Sequence, residues 1–425
     1  MEAFPTLPEF IKLETRVAQI LTEQELHGWY FDTEAAWKLA SSLRSELECI
    51  TDVLLDRHPF IPGEDFTPKR ANKTKGYVAG ATFTKLKDTN PTSRDHIAWI
   101  LKEKYGWNPT TLTNTGKPVI DEVTLKEAVS QGIDIAKKFL RILEITKSLG
   151  MISEGANAWL KLVTKSNRIH HHCSVATATH RCAHRHPNLA QVPSNENFRK
   201  LFRASPELTM VGADLSGIEL RMLAHYLGRF SPTFGEILLN GDIHQVNADK
   251  IGVSRKLVKT ITYCFIYGGG DQKIGLSYDK QLSPHQAKKK GTEIRAAFVA
   301  AIDGLSDLLV AIEAASDRGF VKSIDGRKIV VDSPHKSLNY LLQSGAGIIA
   351  KRWLVITNDT VKQCNLYADQ LAFVHDEIQY ECHPDHVDDL KFALEMSAVA
   401  AGEHYNLRIP IAAEAGSGLT WNETH

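Results

Sequence analysis

Apolar side chains recur every three or four positions through the first 150 residues, which is the period of one face of an α-helix. Gly28 interrupts this pattern, and Asp32 or Thr33 is suited to cap the helix that follows. We therefore predict two helices within residues 13–50 and further helices at residues 93–105 and 124–148.

The pattern changes after residue 169, where short apolar stretches alternate with turns. Residues 209–227 predict a strand followed by a helix, and residues 371–382 predict two short strands around a turn. Between them, residues 242–319 have a mainly helical pattern. The first 150 residues are therefore expected to form a mostly helical unit, and the predicted strands lie in the later part of the chain.

One segment, residues 59–76, is rich in proline and glycine and then carries the cations Lys69, Arg70, Lys73 and Lys75. This composition predicts an exposed basic loop. Two interpretations stay open: a solvated connector, or a loop that contacts the backbone of a nucleic acid.

The composition narrows the class of protein. The chain has 425 residues, 43% of them hydrophobic, which indicates two or three packed units and excludes a mainly disordered chain. Six scattered cysteines indicate a reduced, intracellular protein. The sequence contains neither an apolar run of bilayer length nor a signal peptide. We therefore predict a cytoplasmic location, in the host cytoplasm if the source is viral, and no membrane partner.

The net charge is zero, because 50 basic and 50 acidic residues balance. By segment the charge is uneven: residues 155–205 hold eight basic residues against one acid, and residues 250–300 hold ten against three. Residues 376–425 hold two against ten. The neutral total therefore does not exclude a nucleic-acid partner, since the basic segments can face phosphates.

Two predicted strands carry aspartates to their ends. An apolar stretch leads to Asp214, and Asp376 lies with Glu377 at the turn of the predicted hairpin. Each aspartate alone is also explained by a helix cap or a polar turn. Together they suit a two-metal site for phosphoryl transfer, because paired divalent cations clamp the attacking and leaving oxygens. Carboxylate oxygens favour Mg²⁺.

A third segment carries cations and aromatic rings at a helical spacing. Arg255, Lys259, Tyr263 and Tyr267 are four apart, so on a helix they form one slowly rotating stripe. Ser254 is suited to begin that helix, and three glycines are suited to end it. Such a stripe can hold a triphosphate at one end and a base at the other. A solvated basic face with aromatic core residues is the alternative.

These three segments resemble motifs of DNA polymerase family A, the family of bacterial DNA polymerase I. Residues 214–221 (Asp-Leu-Ser-Gly-Ile-Glu-Leu-Arg) are similar to its first palm motif, residues 255–268 to its fingers-helix motif, and residues 375–377 (His-Asp-Glu) to its last palm motif. The sequence is also similar to the replicative polymerases of T-odd bacteriophages, for example in Pro-Asn-Leu-Ala-Gln-Val-Pro at residues 187–193. This similarity covers nearly the whole chain.

The resemblance implies an α+β right-hand fold. The helical thumb is expected at residues 1–150, the antiparallel-sheet palm at 151–226 and 336–425, and the helical fingers at 227–335. The implied reaction is template-directed addition of dNTPs to a primer 3′ end, with primer–template DNA and dNTPs as partners. Two rivals stay open: a single-subunit RNA polymerase, against which Glu219 argues, and a non-catalytic polymerase-like replication subunit.

The resemblance also implies roles for single residues. Two Mg²⁺ ions are expected on Asp214, Asp376 and the backbone carbonyl of Leu215, with catalysis assisted by Glu377 and Lys259. The expected contacts of the incoming nucleotide are Glu219, His244, Arg255, Lys259 and Tyr263, and those of the DNA are Arg181, Asn339, Gln343 and His375. Glu219, packed beside Tyr263, is expected to exclude a ribose 2′-hydroxyl. A tyrosine at position 263 implies tolerance of dideoxynucleotides.

The chain also departs from the family pattern. His180 stands where the family has glycine, and a histidine is less suited to a positive φ. Six of the 18 histidines lie at residues 170–186 with two cysteines, where a zinc site is the alternative to a polar, DNA-facing segment. About a dozen residues precede the match, so we expect no proofreading exonuclease domain in this chain; whether a separate exonuclease subunit is a partner stays open. The resemblance implies a long thumb insertion that binds thioredoxin in the phage enzymes. The corresponding loop here, within 59–76, is short, so we expect no thioredoxin binding or much weaker binding.

Overall fold

The computed structural model describes residues 7–175, 177–279 and 282–425. The chain forms two compact units. The large unit combines the described residues up to Phe31 with Thr164–His425, and the small unit is Asp32–Val163. Within these residues, no helix combines the length and the apolar character that crossing a membrane requires.

Helices and strands are numbered in chain order. The helices are α1 (Glu9–His27), α2 (Thr33–Arg57), α3 (Arg94–Tyr105), α4 (Glu122–Ser130), α5 (Ile135–Leu149), α6 (Trp159–Leu162), α7 (Glu196–Arg199), α8 (Ile218–Leu227), α9 (Thr233–Asn240), α10 (Ile243–Ile251), α11 (Arg255–Ile266), α12 (Asp271–Tyr278), α13 (Pro284–Ala301), α14 (Leu305–Ser316), α15 (Ser337–Gln363) and α16 (Val387–His404). The strands are β1 (Trp29–Tyr30), β2 (Phe60–Phe66), β3 (Phe83–Asp88), β4 (Arg168–Ile169), β5 (His172–Ser174), β6 (Ala183–Arg185), β7 (Thr209–Leu215), β8 (Phe320–Lys322), β9 (Lys328–Val330), β10 (Ala368–Val374), β11 (Glu377–Cys382) and β12 (Ala413–Gly418).

The small unit is mainly helical, as the apolar periodicity predicts. Asp32 caps α2 by accepting a hydrogen bond of 2.9 Å from the backbone N–H of Ala35. Leu101 of α3 and Phe139 and Ile142 of α5 are fully buried in one apolar core. The apolar faces of these helices therefore pack against each other.

The prediction of a loop over residues 59–76 is wrong in its first part. Residues Phe60–Phe66 form β2, which pairs antiparallel with β3 at Phe83–Asp88. The partner strand lies outside the basic segment, so the composition of the segment alone did not indicate the pairing. All six side chains of β3 are exposed, so the hairpin is a surface feature of the small unit.

The large unit is organised around a four-stranded antiparallel sheet with the order β10-β11-β7-β12. Helix α16 packs against β7 and β12, and α1 packs against β10 and α15. The predicted strand and helix over 209–227 are confirmed as β7 and α8, and the predicted hairpin over 371–382 is confirmed as β10 and β11. The boundaries between thumb, palm and fingers stay predictions.

Strand β7 lies at the centre of this sheet, and its sequence fits that position. Met210, Val211 and Ala213 are buried, so the strand is apolar on both faces. A Cβ on Gly212 would lie 2.1 Å from Nε2 of Gln379 on the neighbouring strand. Glycine therefore leaves the room that the buried Gln379 side chain occupies.

Candidate active site

The two predicted metal-binding segments meet at one end of the central sheet. Asp214, in β7, lies directly opposite Glu377 in β11. The backbone N–H of Leu215 donates a 3.0 Å hydrogen bond to the carbonyl oxygen of Asp376, which lies in the turn between β10 and β11. Main-chain atoms therefore join two segments whose aspartates, Asp214 and Asp376, are 162 positions apart in the chain.

Both aspartates lie in surroundings that disfavour negative charge. Burial, followed by the charges of Asp376 and Glu377, raises the pKa of Asp214 to about 7. Burial, followed by the charge of Glu219, raises the pKa of Asp376 to about 6. Burial and mutual repulsion disfavour the ionised form of these carboxylates, and a bound divalent cation would offset both effects. The donor set, carboxylate oxygens, suits a hard cation such as Mg²⁺.

Glu377 differs from the two aspartates because its carboxylate already has partners. It is buried, and its Oε1 accepts hydrogen bonds from Trp421 Nε1 and, at 2.8 Å, from Gln379 Nε2. Its Oε2 lies 3.2 Å from Nδ1 of His425. Although burial acts in the opposite direction, the hydrogen bond and charge of His425, followed by the hydrogen bonds from Trp421 and Gln379, hold the pKa of Glu377 below its usual value.

The same corner contains a residue that no sequence motif indicated. Nδ1 of His425 lies 4.0 Å from Oδ2 of Asp214, so the histidine stands between Asp214 and Glu377. Each of these three side chains offers a metal-ligand atom, and the three atoms lie within 4.8 Å of one another. The local sequence around residue 425 could not reveal this contact, because it depends on the hydrogen bonds that hold Trp421 and Thr424 against β11.

The predicted stripe of cations and rings runs along α11 and ends at Tyr267, the residue directly after the helix. Ser254 begins this helix by accepting a hydrogen bond of 3.3 Å from the backbone N–H of Leu257. Gly268, with a φ of 71°, follows the end of the helix, in the conformation that favours glycine. Tyr263 and Tyr267 stack with ring centroids 6.3 Å apart, while the opposite face of the helix is buried.

At the start of α11, the predicted triphosphate-binding residue Arg255 has a partner within the protein. The Nε of Arg255 donates a 2.6 Å hydrogen bond to Asp242, which also caps α10 through the N–H of His244. The buried ring of His244 lies 6.2 Å from that of Tyr263. Lys259 is exposed, one turn along α11 from Arg255. The fold thus brings all four predicted nucleotide-binding residues of this segment to one place.

Glu219 of α8 links the sheet to the end of α11. Its Oε1 accepts hydrogen bonds of 2.6 Å from Arg181 and 3.0 Å from the hydroxyl of Tyr267. The family resemblance predicts Glu219 beside Tyr263, but the hydrogen bond comes from the tyrosine one turn later. The charge of Glu219 contributes, after burial, to raising the pKa of Tyr263, so this ring is also close.

The remaining predicted DNA contacts lie on α15 and at the hairpin turn. Asn339 is buried and donates a 2.9 Å hydrogen bond to the carbonyl oxygen of Ile266, at the end of α11. Gln343, one turn later, is half-buried. His375 lies in the turn before Asp376 with a φ of 59°, which is unusual for a residue other than glycine.

The histidine-rich segment lies partly in the small hairpin of β5 and β6. Its Cys173 and Cys182 are buried free thiols. The ring of His184 is buried, with its centroid 6.0 Å from that of His375. In the described part of the chain, three metal-ligand atoms within reach of one ion occur at Asp214, Glu377 and His425, whereas the histidines and cysteines of this segment form no such group.

Comparison with known proteins identifies a family whose members are similar to this chain in sequence. The family model described as DNA polymerase family A matches residues 69–423. The DNA-directed DNA polymerases of Enterobacteria phage T3 and Escherichia phage T7 are each 32% identical, over 98% of this chain and 70% of the relative. The DNA polymerase I of Pseudomonas aeruginosa is 26% identical, over 79% of this chain and 38% of its own length.

Among solved structures, the POL domain of Pol1 from M. smegmatis has a similar fold. The TM-score is 0.78 at 20% sequence identity, covering 97% of this chain and 70% of that chain. That structure is described as a complex with DNA primer-template and dNTP. At this identity the similarity supports the fold.

Proposed function

The chain belongs to DNA polymerase family A, and from this premise we infer that it extends a primer 3′ end with dNTPs on a DNA template. The observation that supports this function most strongly is the main-chain hydrogen bond from Leu215 to Asp376, which brings the segments that carry Asp214 and Asp376 together. The two carboxylates lie on adjoining segments and each has a raised pKa. Such carboxylates are suited to bind the divalent cations that phosphoryl transfer uses.

Two Mg²⁺ ions would be held by Asp214, Asp376 and the backbone carbonyl of Leu215. When bound, they supply charge neutralisation for the attacking oxygen and the pyrophosphate leaving group. Glu377, the first residue of β11, would assist catalysis beside the metals. Its hydrogen bonds from Trp421 and Gln379 keep the carboxylate in one orientation. The protein contributes to catalysis mostly by positioning and fixed charge.

The incoming nucleotide would lie along the stripe of α11. Arg255 and Lys259 bind its phosphates, with His244 beside them, and Tyr263 faces the base pair. The ion pair between Arg255 and Asp242 is exposed enough, at 49% and 43% of the two side chains, for the guanidinium to exchange its partner for phosphate.

The sugar and the DNA would be selected at the other end of the stripe. Glu219, fixed by Arg181 and Tyr267, occupies the space that a ribose 2′-hydroxyl would need. Arg181, Gln343 and Asn339 would face the minor groove, where the acceptors are common to every correct pair. These contacts test the shape of the pair rather than its sequence. Whether a separate exonuclease subunit is a partner stays open, while the lack of thioredoxin binding and the location in host cytoplasm stay predictions.

A primer-extension assay tests this function directly. Purified protein is given primer–template DNA, Mg²⁺ and either dNTPs or rNTPs, and Asp376→Ala is the comparison. We expect extension with dNTPs and a loss of at least about 1000-fold in the variant, because removal of a charge-stabilising group at the reacting centre costs several kcal/mol. Preference for rNTPs would instead support the RNA polymerase. Equal, negligible extension by wild type and variant would support the non-catalytic subunit.

A further inference from the structure

One residue beside the candidate site has a backbone conformation that its side chain does not favour. His180 has a φ of 60°, in the left-handed region where a side chain costs free energy that glycine avoids. Its backbone N–H donates a 3.1 Å hydrogen bond to the carbonyl oxygen of Thr177. The hydroxyl of Thr177 in turn donates at 2.7 Å to the carbonyl oxygen of Arg181. Residues 177–181 therefore form a tight turn that ends on Arg181.

The side chain of His180 has a partner that compensates for this conformation. Its Nδ1 lies 2.7 Å from the hydroxyl of Ser344 on α15. The Ser344 hydroxyl is fully buried and also lies 2.8 Å from the hydroxyl of Ser323. Burial lowers the pKa of His180, so the ring is neutral at pH 7 and the contact is an uncharged hydrogen bond.

The turn also approaches the backbone of α15 closely. A Cβ added to Gly347 would lie 3.1 Å from the carbonyl oxygen of His180 and 3.3 Å from Cγ of Arg181. Ser344 and Gly347 are three residues apart, so they lie on the same face of the helix. One face of α15 thus provides both the anchor for His180 and the space for Arg181.

Arg181 connects this turn to the candidate site. Its guanidinium donates to Glu219 at 2.6 Å, and Glu219 accepts a second hydrogen bond from Tyr267. A shift of the 177–181 turn would therefore move the guanidinium relative to both Glu219 and the primer–template that Arg181 would contact under the proposed function.

We propose that His180 is a positioning residue: its hydrogen bond to Ser344 fixes the turn that orients the Arg181 guanidinium toward the primer terminus. This inference rests on the proposed function. Glycine at this position adopts a positive φ without strain but lacks a side chain that reaches Ser344. The histidine therefore has a less favourable backbone conformation than glycine would have, but it gains a hydrogen bond to Ser344. Its effect on the reaction is indirect and acts through Arg181.

The anchor matters for selection at the primer end. Because Arg181 faces acceptors that correct base pairs share, its fixed position allows a matched terminus to be distinguished from a mismatched one. Displacement of a positioning group by about 1 Å costs up to about 100-fold in rate. Loss of the anchor is expected to lower extension from a matched end more than from a mismatched end.

The test uses full-length protein with His180→Gly, Ser344→Ala and Arg181→Ala, singly and in pairs. His180→Gly removes the anchor and relieves the backbone, so a fall in activity with an unchanged or higher Tm is not a folding defect. Glu207→Gly is the matched control, since Glu207 is an exposed residue with a φ of 68° in the turn before β7. The readouts are Tm, kcat and KM for single-nucleotide extension, and the ratio of matched to mismatched extension.

We expect His180→Gly and Ser344→Ala each to lower kcat/KM from a matched terminus about 10- to 100-fold and to reduce the ratio, while Glu207→Gly changes neither. In the Arg181→Ala background, both substitutions should have no further effect. Additive losses in that background, or a wild-type ratio in both single variants, would overturn the proposal. If the wild type extends no primer at all, the proposed function fails; if it extends normally and the losses are additive, only the role of His180 fails.

Discussion

The backbone N–H of Leu215 donates to the carbonyl oxygen of Asp376 at 3.0 Å, so the two segments that carry the predicted metal-binding aspartates are held together by main-chain atoms. A side-chain substitution at either aspartate leaves this hydrogen bond in place. The alignment of the two segments is therefore set by main-chain pairing rather than by contacts of the two carboxylates. Effects of substitutions at Asp214 and Asp376 can be attributed to the lost carboxylates.

Substitution of Gly212 is expected to disturb the candidate active site through Gln379, which is a partner of Glu377. In Gly212→Ala the new Cβ would lie 2.1 Å from Nε2 of Gln379, which is buried and donates to Glu377. The side chain of Gln379 must move, so we expect a loss of about 3 kcal/mol in the free energy of unfolding, as for overpacked cores. Primer extension should fall as well, because Glu377 loses a partner. Urea denaturation and steady-state kinetics measure the two effects.

The matched control is Gly416→Ala, on the strand that pairs with β7. Gly416 lies directly opposite Gly212, but its added Cβ would lie 3.5 Å from the nearest atom, Cα of Thr424. This is ordinary van der Waals contact, so the stability should change by less than about 1 kcal/mol. Equal effects of the two substitutions would show that the Gln379 side chain does not require the glycine.

Substitution of each partner of the Arg255–Asp242 ion pair tests whether the start of α11 binds the phosphates of the incoming nucleotide. Arg255→Ala should raise KM for dNTPs about 10- to 100-fold, because one charge-assisted contact with phosphate contributes about 1.5–3 kcal/mol. Asp242→Asn keeps a good helix cap for α10 but removes the charge that competes for the guanidinium. It should leave KM unchanged or lower. A KM that rises equally in both variants would mean that the ion pair itself orders the site.

Glu219 should control the choice of sugar. Glu219→Ala opens the space at the 2′ position, so the preference for dNTPs over rNTPs should fall about 10- to 100-fold, the range typical of a pocket altered by a small group. Tyr267→Phe removes one hydrogen bond to Glu219 but keeps its carboxylate, so most of the preference should remain. The measurement is the ratio of kcat/KM for one dNTP and its rNTP. A larger change in Tyr267→Phe than in Glu219→Ala would contradict the role of the carboxylate.

The stability of the large unit should depend on Glu381 at acidic pH. This carboxylate has a fully buried side chain and accepts hydrogen bonds from His27, Arg168 and the backbone N–H of Ser205. Although burial opposes the shift, these partners lower the pKa of Glu381 to about 2 from an ordinary 4.5. Because the folded pKa is the lower one, the contribution is complete above pH 4.5 and is lost as the pH falls toward 2.

The expected size of this contribution is about 3 kcal/mol at pH 7, from about 1.4 kcal/mol for each pKa unit. Glu381→Gln should therefore unfold at lower urea concentration than wild type at pH 7, and the difference should shrink below pH 4.5. The control is Glu23→Gln, which removes a half-exposed pair with Lys362 and should cost less than about 1 kcal/mol. A difference that stays constant from pH 7 to pH 3 would show that the ionised form of Glu381 is not what stabilises the fold.

Several features followed from the sequence because they depend on neighbouring residues. The period of apolar positions predicted α1 and α2, and of the two cap candidates, Asp32 and Thr33, the structure has Asp32. The four-residue spacing of Arg255, Lys259, Tyr263 and Tyr267 predicted the stripe that runs along α11 to the residue after its end. An apolar run ending in Asp214 predicted β7, and two runs around His-Asp-Glu predicted the hairpin. Helical and strand periods are local, so a single sequence contains them.

Other features depend on which distant segments meet, and only the tertiary structure decided them. The contact of His425 with Glu377, the hydrogen bond from Tyr267 rather than Tyr263 to Glu219, and the pairing of β2 with a strand outside its basic segment are of this kind. The sequence by itself determined the chemical groups available and the elements that carry them. The tertiary structure determined their partners, because burial and sheet register, which local spacing does not encode, set which groups come within hydrogen-bonding distance.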